Sequence, residues 1–373
     1  RLGVCPTPAL AHLTGSGPFR AGIMVSASHN PADDNGLKVL DEAGLKIDEP
    51  LEDELEALIW RADELSGPRN DGLGREVDGR QRLAAYEAHR LRLASTIHSD
   101  VSLVLDCANG SGGMVGPQIL AGSGARVDVR FNEPDGTNIN LHCGATSPAA
   151  AARAVAETGA DLGFALDGDA DRCVAIDEHG RVVDGDQLIG IIALDRLARR
   201  ALPGGICVVS GLSNGGLEAA ITAAGGRVAR TPVGDRYILE GMLVAGAGLG
   251  GEKSGHVIVR EHASSGDGIV TALELLGILA RSGRRLSELA AQISLFPQQQ
   301  RTVPARHKEQ WEADPTFADA VAEAQRTLDG SGRVLVRPSG TEAALRIMVE
   351  GQQEEQVVAL ADQLASLAGQ RLN

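Results

Sequence analysis

A chain of 373 residues is longer than one hydrophobic core usually organises, and a formal charge of −15 leaves no basic face for nucleic acid. Its 43% hydrophobic and 23% charged residues are those of a soluble globular protein, with no apolar run near the roughly 18 residues of a membrane span. Five scattered cysteines (Cys5, Cys107, Cys143, Cys173, Cys207), an odd number without CxxC spacing, argue against a disulfide framework or a zinc site. No basic segment followed by an apolar core opens the chain at Arg1, so no signal peptide is expected and a reducing cytoplasm fits best. The acidic balance does not bar a small anion. Net charge is screened over about 8 Å, whereas a cation about 4 Å from a phosphate gains about 4 kcal/mol at a dielectric near 20.

In chain order, residues 22–25 read as a strand, and Asn30 and Pro31 force the chain out of it. Between them the hexapeptide Ser26 Ala27 Ser28 His29 Asn30 Pro31 places Ser28 at an exposed loop tip. A serine there is a poor nucleophile without a base, a metal or a prior phosphorylation, and these six residues alone read as a turn. The Gly/Pro/Asn stretch 66–74 is a loop, and residues 81–97 have helical spacing, which puts a boundary near residue 99.

Strands at 102–106 and 126–130 follow, separated by Gly110 Ser111 Gly112 Gly113 Met114 Val115 Gly116 with Asp128 downstream. This resembles a dinucleotide fingerprint, but its spacing is wrong by one residue, so a tight turn into a helix is predicted and an NAD-dependent enzyme is the rival reading. Strands at 162–166 and 173–177 flank Asp167 Gly168 Asp169 Ala170 Asp171 Arg172. Three carboxylates at every second position can converge on one hard cation and leave room for a phosphate oxygen, with Mg²⁺ as the natural candidate. A calcium loop with Glu178 at its twelfth position is the competitor, and Arg172 spoils it where glycine is needed.

Pro203, Gly204 and Gly205 mark a boundary before a strand at 206–210, and another strand is expected at 227–230. Gly251 Glu252 Lys253 Ser254 Gly255 His256 gathers an acceptor, a cation, a hydroxyl and an imidazole suited to sugar hydroxyls and a proton. Pro297 and a glutamine run mark the last boundary. Beyond it, Arg337 Pro338 Ser339 Gly340 Thr341 Glu342, with Arg346, combines an anion nest with guanidinium donors, and a helix at 354–367 closes the chain. Short strands alternating with alanine-rich helices make the class α/β, in four segments: 1–98, 99–202, 203–298 and 299–373.

Four loops in this order resemble the α-D-phosphohexomutase superfamily: SASHNP with Asn35, Gly36 and Lys38, then DGDADR, GEKSGH and RPSGTE. Asp106 to Gly110, the segment from Asn138 to Thr146, and Val233 Gly234 Asp235 Arg236 Tyr237 look most like the bacterial phosphoglucosamine mutases, ahead of the phosphomannomutase/phosphoglucomutase group. The resemblance implies three related mixed-sheet α/β domains and a C-terminal α+β domain around a central cleft, with a hinge near residue 299. It implies a phosphoserine at Ser28 and one Mg²⁺ held by Ser28, Asp167, Asp169 and Asp171. Lys38 and His256 match acid/base positions, His29, Arg172, Asp235 and Arg236 match substrate-binding ones, and Glu252 and Ser254 would hold sugar hydroxyls. Arg337, Ser339, Gly340, Thr341 and Arg346 would hold the phosphate not being transferred.

The implied reaction converts glucosamine 6-phosphate to glucosamine 1-phosphate through glucosamine 1,6-bisphosphate or a similar activator, in a cytoplasmic enzyme for which a homodimer is one expected assembly and no nucleic-acid or membrane partner is expected. A non-catalytic sugar phosphate binder is the alternative of another class. The family opens with a Gly-Thr-Asp-Gly-x-Arg loop that has no counterpart before Cys5, so the first domain is expected to be incomplete. Ala170 and Ala343 stand where the family has glycine and proline, and Gly211 Leu212 replace its usual residues before Ser213. Ala170 would strain its loop if that position needs positive φ.

Overall fold

The computed structural model describes residues 1–64, 67, 74–330, 332–339 and 342–373. The apolar runs that become the central strands, at 102–106, 162–166, 173–176 and 206–210, are buried along nearly their whole length, whereas Ile23 and Val25 of the first strand are exposed. β1 (Gly22–Ser26) and β2 (Gly36–Leu40) form an antiparallel pair. β3 (Ser102–Asp106) pairs in parallel with β4 (Arg126–Arg130) and β5 (Leu162–Leu166). β6 (Cys173–Ile176) and β7 (Val182–Val183) extend this sheet antiparallel, in the order β4-β3-β5-β6-β7. β8 (Ile206–Ser210), β9 (Arg227–Thr231), β10 (Leu249–Gly251) and β11 (Val257–Val259) form a second mixed sheet, ordered β11-β10-β8-β9. β12 (Gln298–Pro304), β13 (Arg333–Pro338) and β14 (Ala344–Glu350) form an antiparallel sheet with β14 central.

β3, β4, β5 and β8 have the expected bounds, whereas β6 stops at Ile176. Asp177 turns the chain there, accepting the amides of His179 (2.9 Å) and Arg181 (2.8 Å) on Oδ1. The helix expected at 81–97 runs only over Leu83–Ala94, preceded by a 3₁₀ turn at Arg80–Arg82. The closing helix extends to Glu354–Arg371. Of the loop expected at 66–74, only Gly67 and Gly74 are among the described residues.

By their contacts the described residues group into two compact units: Arg1–Ser213 with Ile221–Ile293, and Asn214–Ala220 with Ser294–Asn373. Within the first unit, the helices Gly185–Ala198 and Gly268–Ser282 each pack on β6 and also on a strand of the second sheet, so the two sheets share a core. Val104, Val155, Ala165 and Ile176 are buried on one side of the larger sheet. Each Val or Ile so buried stabilises by about 1.5–3 kcal/mol. In the second unit, Phe317, Ile347, Val357 and Leu364 form the core, and the glutamines read as a boundary are strand residues, Gln298 pairing with Glu350. No described helix is long and apolar enough to cross a membrane. The parallel strands β3 and β5 deliver Asp106 and Asp167 at their C-terminal ends, where open α/β sheets place their ligands.

Candidate active site

Ser28 follows the end of β1 in a turn closed by Asn30 N–H on the Ala27 carbonyl (2.9 Å). It is half-buried rather than exposed, and its φ of 53° lies in the left-handed region that non-glycine residues rarely occupy. Such strain persists only where neighbours over-determine it. Here the Ser28 carbonyl accepts the Gly168 amide (3.1 Å) and Asn140 Nδ2 (2.8 Å), and the same Nδ2 reaches the Asn30 carbonyl (2.8 Å). A Cβ on Gly168 would lie 2.5 Å from that carbonyl, so only glycine admits the serine turn. His29 Nδ1 stands 3.4 Å from Ser28 Oγ. Burial and the Arg172 charge lower the pKa of His29, favouring a neutral ring.

The three aspartates occupy the turn between β5 and β6 and are all buried. Ala170 has φ 57°, the strained conformation that its methyl group was expected to meet. Thr7 locks the turn by donating its amide to the Asp169 carbonyl (3.0 Å) and its hydroxyl to Asp169 Oδ2. Lys38 Nζ donates to Asp169 Oδ2 (2.6 Å) and Asp171 Oδ2 (2.9 Å), and the Arg172 amide donates to Asp167 Oδ1 (3.0 Å). That leaves Asp167 Oδ2, Asp169 Oδ1 and Asp171 Oδ1 buried without a hydrogen-bond donor, one oxygen from each residue.

Ligand atoms of the three carboxylates lie within 4.8 Å of one another. Orphaned buried carboxylate oxygens are costly unless a cation takes them, and an all-oxygen set suits hard Mg²⁺. The electrostatics agree. Burial and the neighbouring Asp171 and Asp169 raise the pKa of Asp167. For Asp171, burial is outweighed by His256 and Lys38, and its pKa falls; for Lys38, burial is outweighed by Asp171 and Asp169, and its pKa rises. Glu178 does not join this group, because its carboxylate accepts from Ser287 Oγ (2.6 Å), which removes the calcium-loop reading.

His256 lies fully inside, with Nδ1 3.7 Å from Asp171 Oδ1. The Gly266 amide donates to Nε2 (3.1 Å), which assigns the proton of the neutral ring to Nδ1. Burial opposes protonation, but the carboxylates of Asp171 and Asp235 prevail and raise the pKa of His256. Asp235 is held by Lys46 Nζ at 2.5 Å. A cavity of about 110 Å³ is lined by Thr7, Lys46, Asp171, Asp235 and His256. Arg236 pairs with Glu52 and, at 3.6 Å, with Glu49. Glu252 Oε1 accepts the Gly234 amide (3.1 Å), and Ser254 is exposed. Arg172 Nε lies 3.9 Å from both Asp167 Oδ2 and Asp171 Oδ1.

The glycine-rich stretch at 110–116 is a 3₁₀ turn, Ser111–Met114, leading into the helix Gly116–Ala121. Its backbone supports the metal turn, since the Ser111 amide (2.8 Å) and hydroxyl (3.2 Å) both donate to the Gly168 carbonyl. A Cβ on Gly110 would lie 2.3 Å from that carbonyl. Asp128, the acidic residue of the dinucleotide reading, is paired with Arg130 (2.6 Å).

In the second unit, Arg337 and Arg346 stand directly opposite across β13 and β14. Burial and the facing Arg346 lower the pKa of Arg337. Like charges in register are destabilising unless an anion joins them. Beside them, Ser339 Oγ is buried with no hydrogen-bond partner among the described residues, and Lys308 Nζ donates to the carbonyls of Ser339 and of Glu342 (3.0 Å). Gly340 and Thr341 lie outside the described residues. Sequence reasoning missed Thr7, Lys46, Gly266 and Lys308 because each acts through a contact distant in the chain. Asn140 had a signal, in its place within the Asn138 to Thr146 segment.

Four family descriptions match in order: phosphoglucomutase/phosphomannomutase alpha/beta/alpha domain I at residues 1–66, domain II at 84–180, domain III at 184–296, and the C-terminal domain at 300–367. The phosphoglucosamine mutase of Moorella thermoacetica is 47% identical over 358 residues, covering 96% of this chain and 81% of the relative. That of a Nocardioides species is 44% identical over 372 residues, covering 100% and 83%. A phosphoglucomutase/phosphomannomutase family protein from Burkholderia thailandensis has the same fold, with a TM-score of 0.82 at 23% identity over 100% of this chain and 83% of its own. Aspergillus fumigatus N-acetylphosphoglucosamine mutase, solved with GlcNAc-6P and magnesium, gives 0.71 at 20% identity over 98% and 93%.

Proposed function

This chain belongs to the phosphoglucomutase/phosphomannomutase family, and from that premise we propose that it interconverts glucosamine 6-phosphate and glucosamine 1-phosphate as a phosphoglucosamine mutase. The observation that carries the reading is the serine turn itself. Ser28 is held in a strained conformation by direct bonds to the loop of three orphaned carboxylates.

Asp167, Asp169 and Asp171 would hold Mg²⁺, with an oxygen on Ser28 as a further ligand. The ion supplies charge neutralisation at the transferring phosphoryl group when bound. In the first half-reaction, the sugar O1 loses its proton and forms a bond to phosphorus as the bond to Ser28 Oγ breaks and that oxygen takes up a proton, giving the 1,6-bisphosphate. The bisphosphate turns round, and Ser28 Oγ then takes the phosphoryl group from O6. A serine that starts phosphorylated needs no strong base, and a loose phosphoryl-transfer transition state demands little of one.

Lys38 and His256 both enter as proton donors. Lys38 is held protonated between two carboxylates, and His256 has its proton on Nδ1 with Nε2 already occupied. His29 and Arg172 line the approach to Ser28 and the aspartates, and Asp235, Glu252 and Ser254 offer acceptors and a hydroxyl to the sugar. Arg236 contributes once a substrate anion competes with Glu52. The like-charged pair Arg337 and Arg346, with Ser339, supplies the grip on the phosphate that is not transferred.

Comparative turnover tests the reading. With Mg²⁺ and a catalytic amount of hexose 1,6-bisphosphate, glucosamine 6-phosphate is converted with a higher kcat/KM than mannose 6-phosphate or glucose 6-phosphate. Faster turnover of either hexose phosphate overturns the substrate assignment. Binding without turnover of any of them favours a sugar phosphate binder.

A further inference from the structure

The segment Gly266 Asp267 Gly268, in neither the metal turn nor the sugar loop, reaches both. Gly266 N–H donates to His256 Nε2 (3.1 Å), and Gly268 N–H donates to the carbonyl of Ala170 (3.0 Å), the strained residue of the metal turn. Neither glycine tolerates a side chain. A Cβ on Gly266 would lie 2.4 Å from the His256 ring, and one on Gly268 would lie 2.4 Å from the Arg172 carbonyl.

Between them Asp267 is completely buried and its carboxylate is saturated. Oδ1 accepts the amides of Ile269 and Val270 (3.0 Å each), capping the helix Gly268–Ser282. Oδ2 accepts Tyr86 Oη, Arg90 Nε and Arg90 Nη2, each at 3.0 Å. Arg90 is itself only 1% exposed. It donates to the His262 carbonyl (2.9 Å) and stacks its guanidinium 4.6 Å over the Tyr86 ring. A buried charge this far from solvent is costly, and replacing the pair by apolar side chains is often neutral or stabilising. Stability alone therefore does not require it.

We propose that Arg90 and Tyr86, on the helix Leu83–Ala94, are positioning residues for the reaction. Through Asp267 they fix the peptide whose two glycine amides set the His256 tautomer and the backbone of the metal turn. The effect on the reaction rests on the role given to His256 above, whereas the geometric part stands without it. Removing the brace lets Gly266 and Gly268 drift, so His256 loses the partner at Nε2 that keeps its proton on Nδ1.

The test pairs kinetics with nitrogen NMR of the His256 imidazole. At a pH high enough to keep the His256 ring neutral, the Nδ1-protonated signature of the wild type gives way in Arg90→Met to a tautomer mixture. Turnover falls about 10–100-fold, with KM within about twofold, the scale of a small misplacement at a reacting group. Arg90→Lys recovers part of both. A folded Arg90→Met protein with the wild-type His256 signature overturns the proposal. Should Arg90→Met fail to fold, amide exchange in Tyr86→Phe decides, because that variant keeps the packing and removes one hydrogen bond. Exchange at Gly266 and Gly268 accelerates about five- to tenfold, the scale of one lost bond. Unchanged exchange overturns the proposal. If the wild-type chain lacks glucosamine phosphate turnover but the NMR and exchange shifts occur, the brace stands and the substrate reading fails.

Discussion

Asn140 holds Ser28 from outside the serine motif, as Ser26 Oγ, which accepts the Ser28 amide (2.8 Å), holds it from within. One side-chain amide ties the carbonyls of Ser28 and Asn30, and φ of 57° at Asn140 itself shows that the tie has a backbone cost. Asn140→Ala removes two hydrogen bonds, each worth about 0.5–1.5 kcal/mol net. Denaturant unfolding therefore gives a loss of about 1–3 kcal/mol, and turnover falls about 10–100-fold because Ser28 is no longer held. At this scale the sequence was most legible where chemistry and geometry share one short loop. Alternating aspartates announced the buried carboxylate cluster, and alanine in place of glycine announced the positive φ at Ala170. Thr7 was illegible, since its hydroxyl meets Asp169 162 positions further along the chain and an isolated threonine has no pattern.

The elements carry two further expectations. The helix Thr7–Ser16 packs on the helix Leu83–Ala94, placing the His12 ring 4.9 Å from His89 and 6.0 Å from Tyr86. Burial, then the Arg90 charge, lower the pKa of His12 from 6.5 to about 4. Between those values the unfolded chain binds a proton that the folded chain refuses, so stability rises with pH through that window. The full contribution is present above pH 6.5 and is lost as pH falls toward 4. The melting temperature of the wild type therefore drops between pH 7 and pH 5 by more than that of His12→Gln.

The second element-scale expectation concerns β13 and β14, where Arg337 faces Arg346. Arg346→Gln relieves the repulsion but gives up the 3.6 Å pair with Glu342, so the stability of the phosphate-free protein changes by less than about 1 kcal/mol, while KM for the sugar phosphate rises. A thermal shift titration reads both effects. A variant with KM unchanged contradicts the phosphate role of this pair. Strands such as β3 and β5 were legible because each is a short apolar run. β12 was not, because its glutamines resemble a linker and its pairing with β14 is set by the sheet rather than by local pattern.

At the scale of the whole molecule, the α/β class and the order of four chemical loops could be read from the sequence, whereas the two compact units could not. The merger depends on helices that pack on both sheets at once, a three-dimensional economy without a local signature. The same shared core brings β1, the metal turn and the sugar loop together within the first unit, joining Ser28, Lys38, Asp167, Asp169, Asp171 and His256 from three separate stretches of chain. In the proposed reaction Ser28 is a phosphoryl carrier rather than a base-activated nucleophile. Mass spectrometry of the chain tests this most directly, after exposure to a hexose 1,6-bisphosphate with Mg²⁺ and then to glucosamine 6-phosphate. One phosphoryl group located on Ser28, absent in Ser28→Ala and discharged as the sugar bisphosphate appears, is the expected result. A phosphoryl group that settles elsewhere, or one on Ser28 that glucosamine 6-phosphate does not remove, contradicts the account.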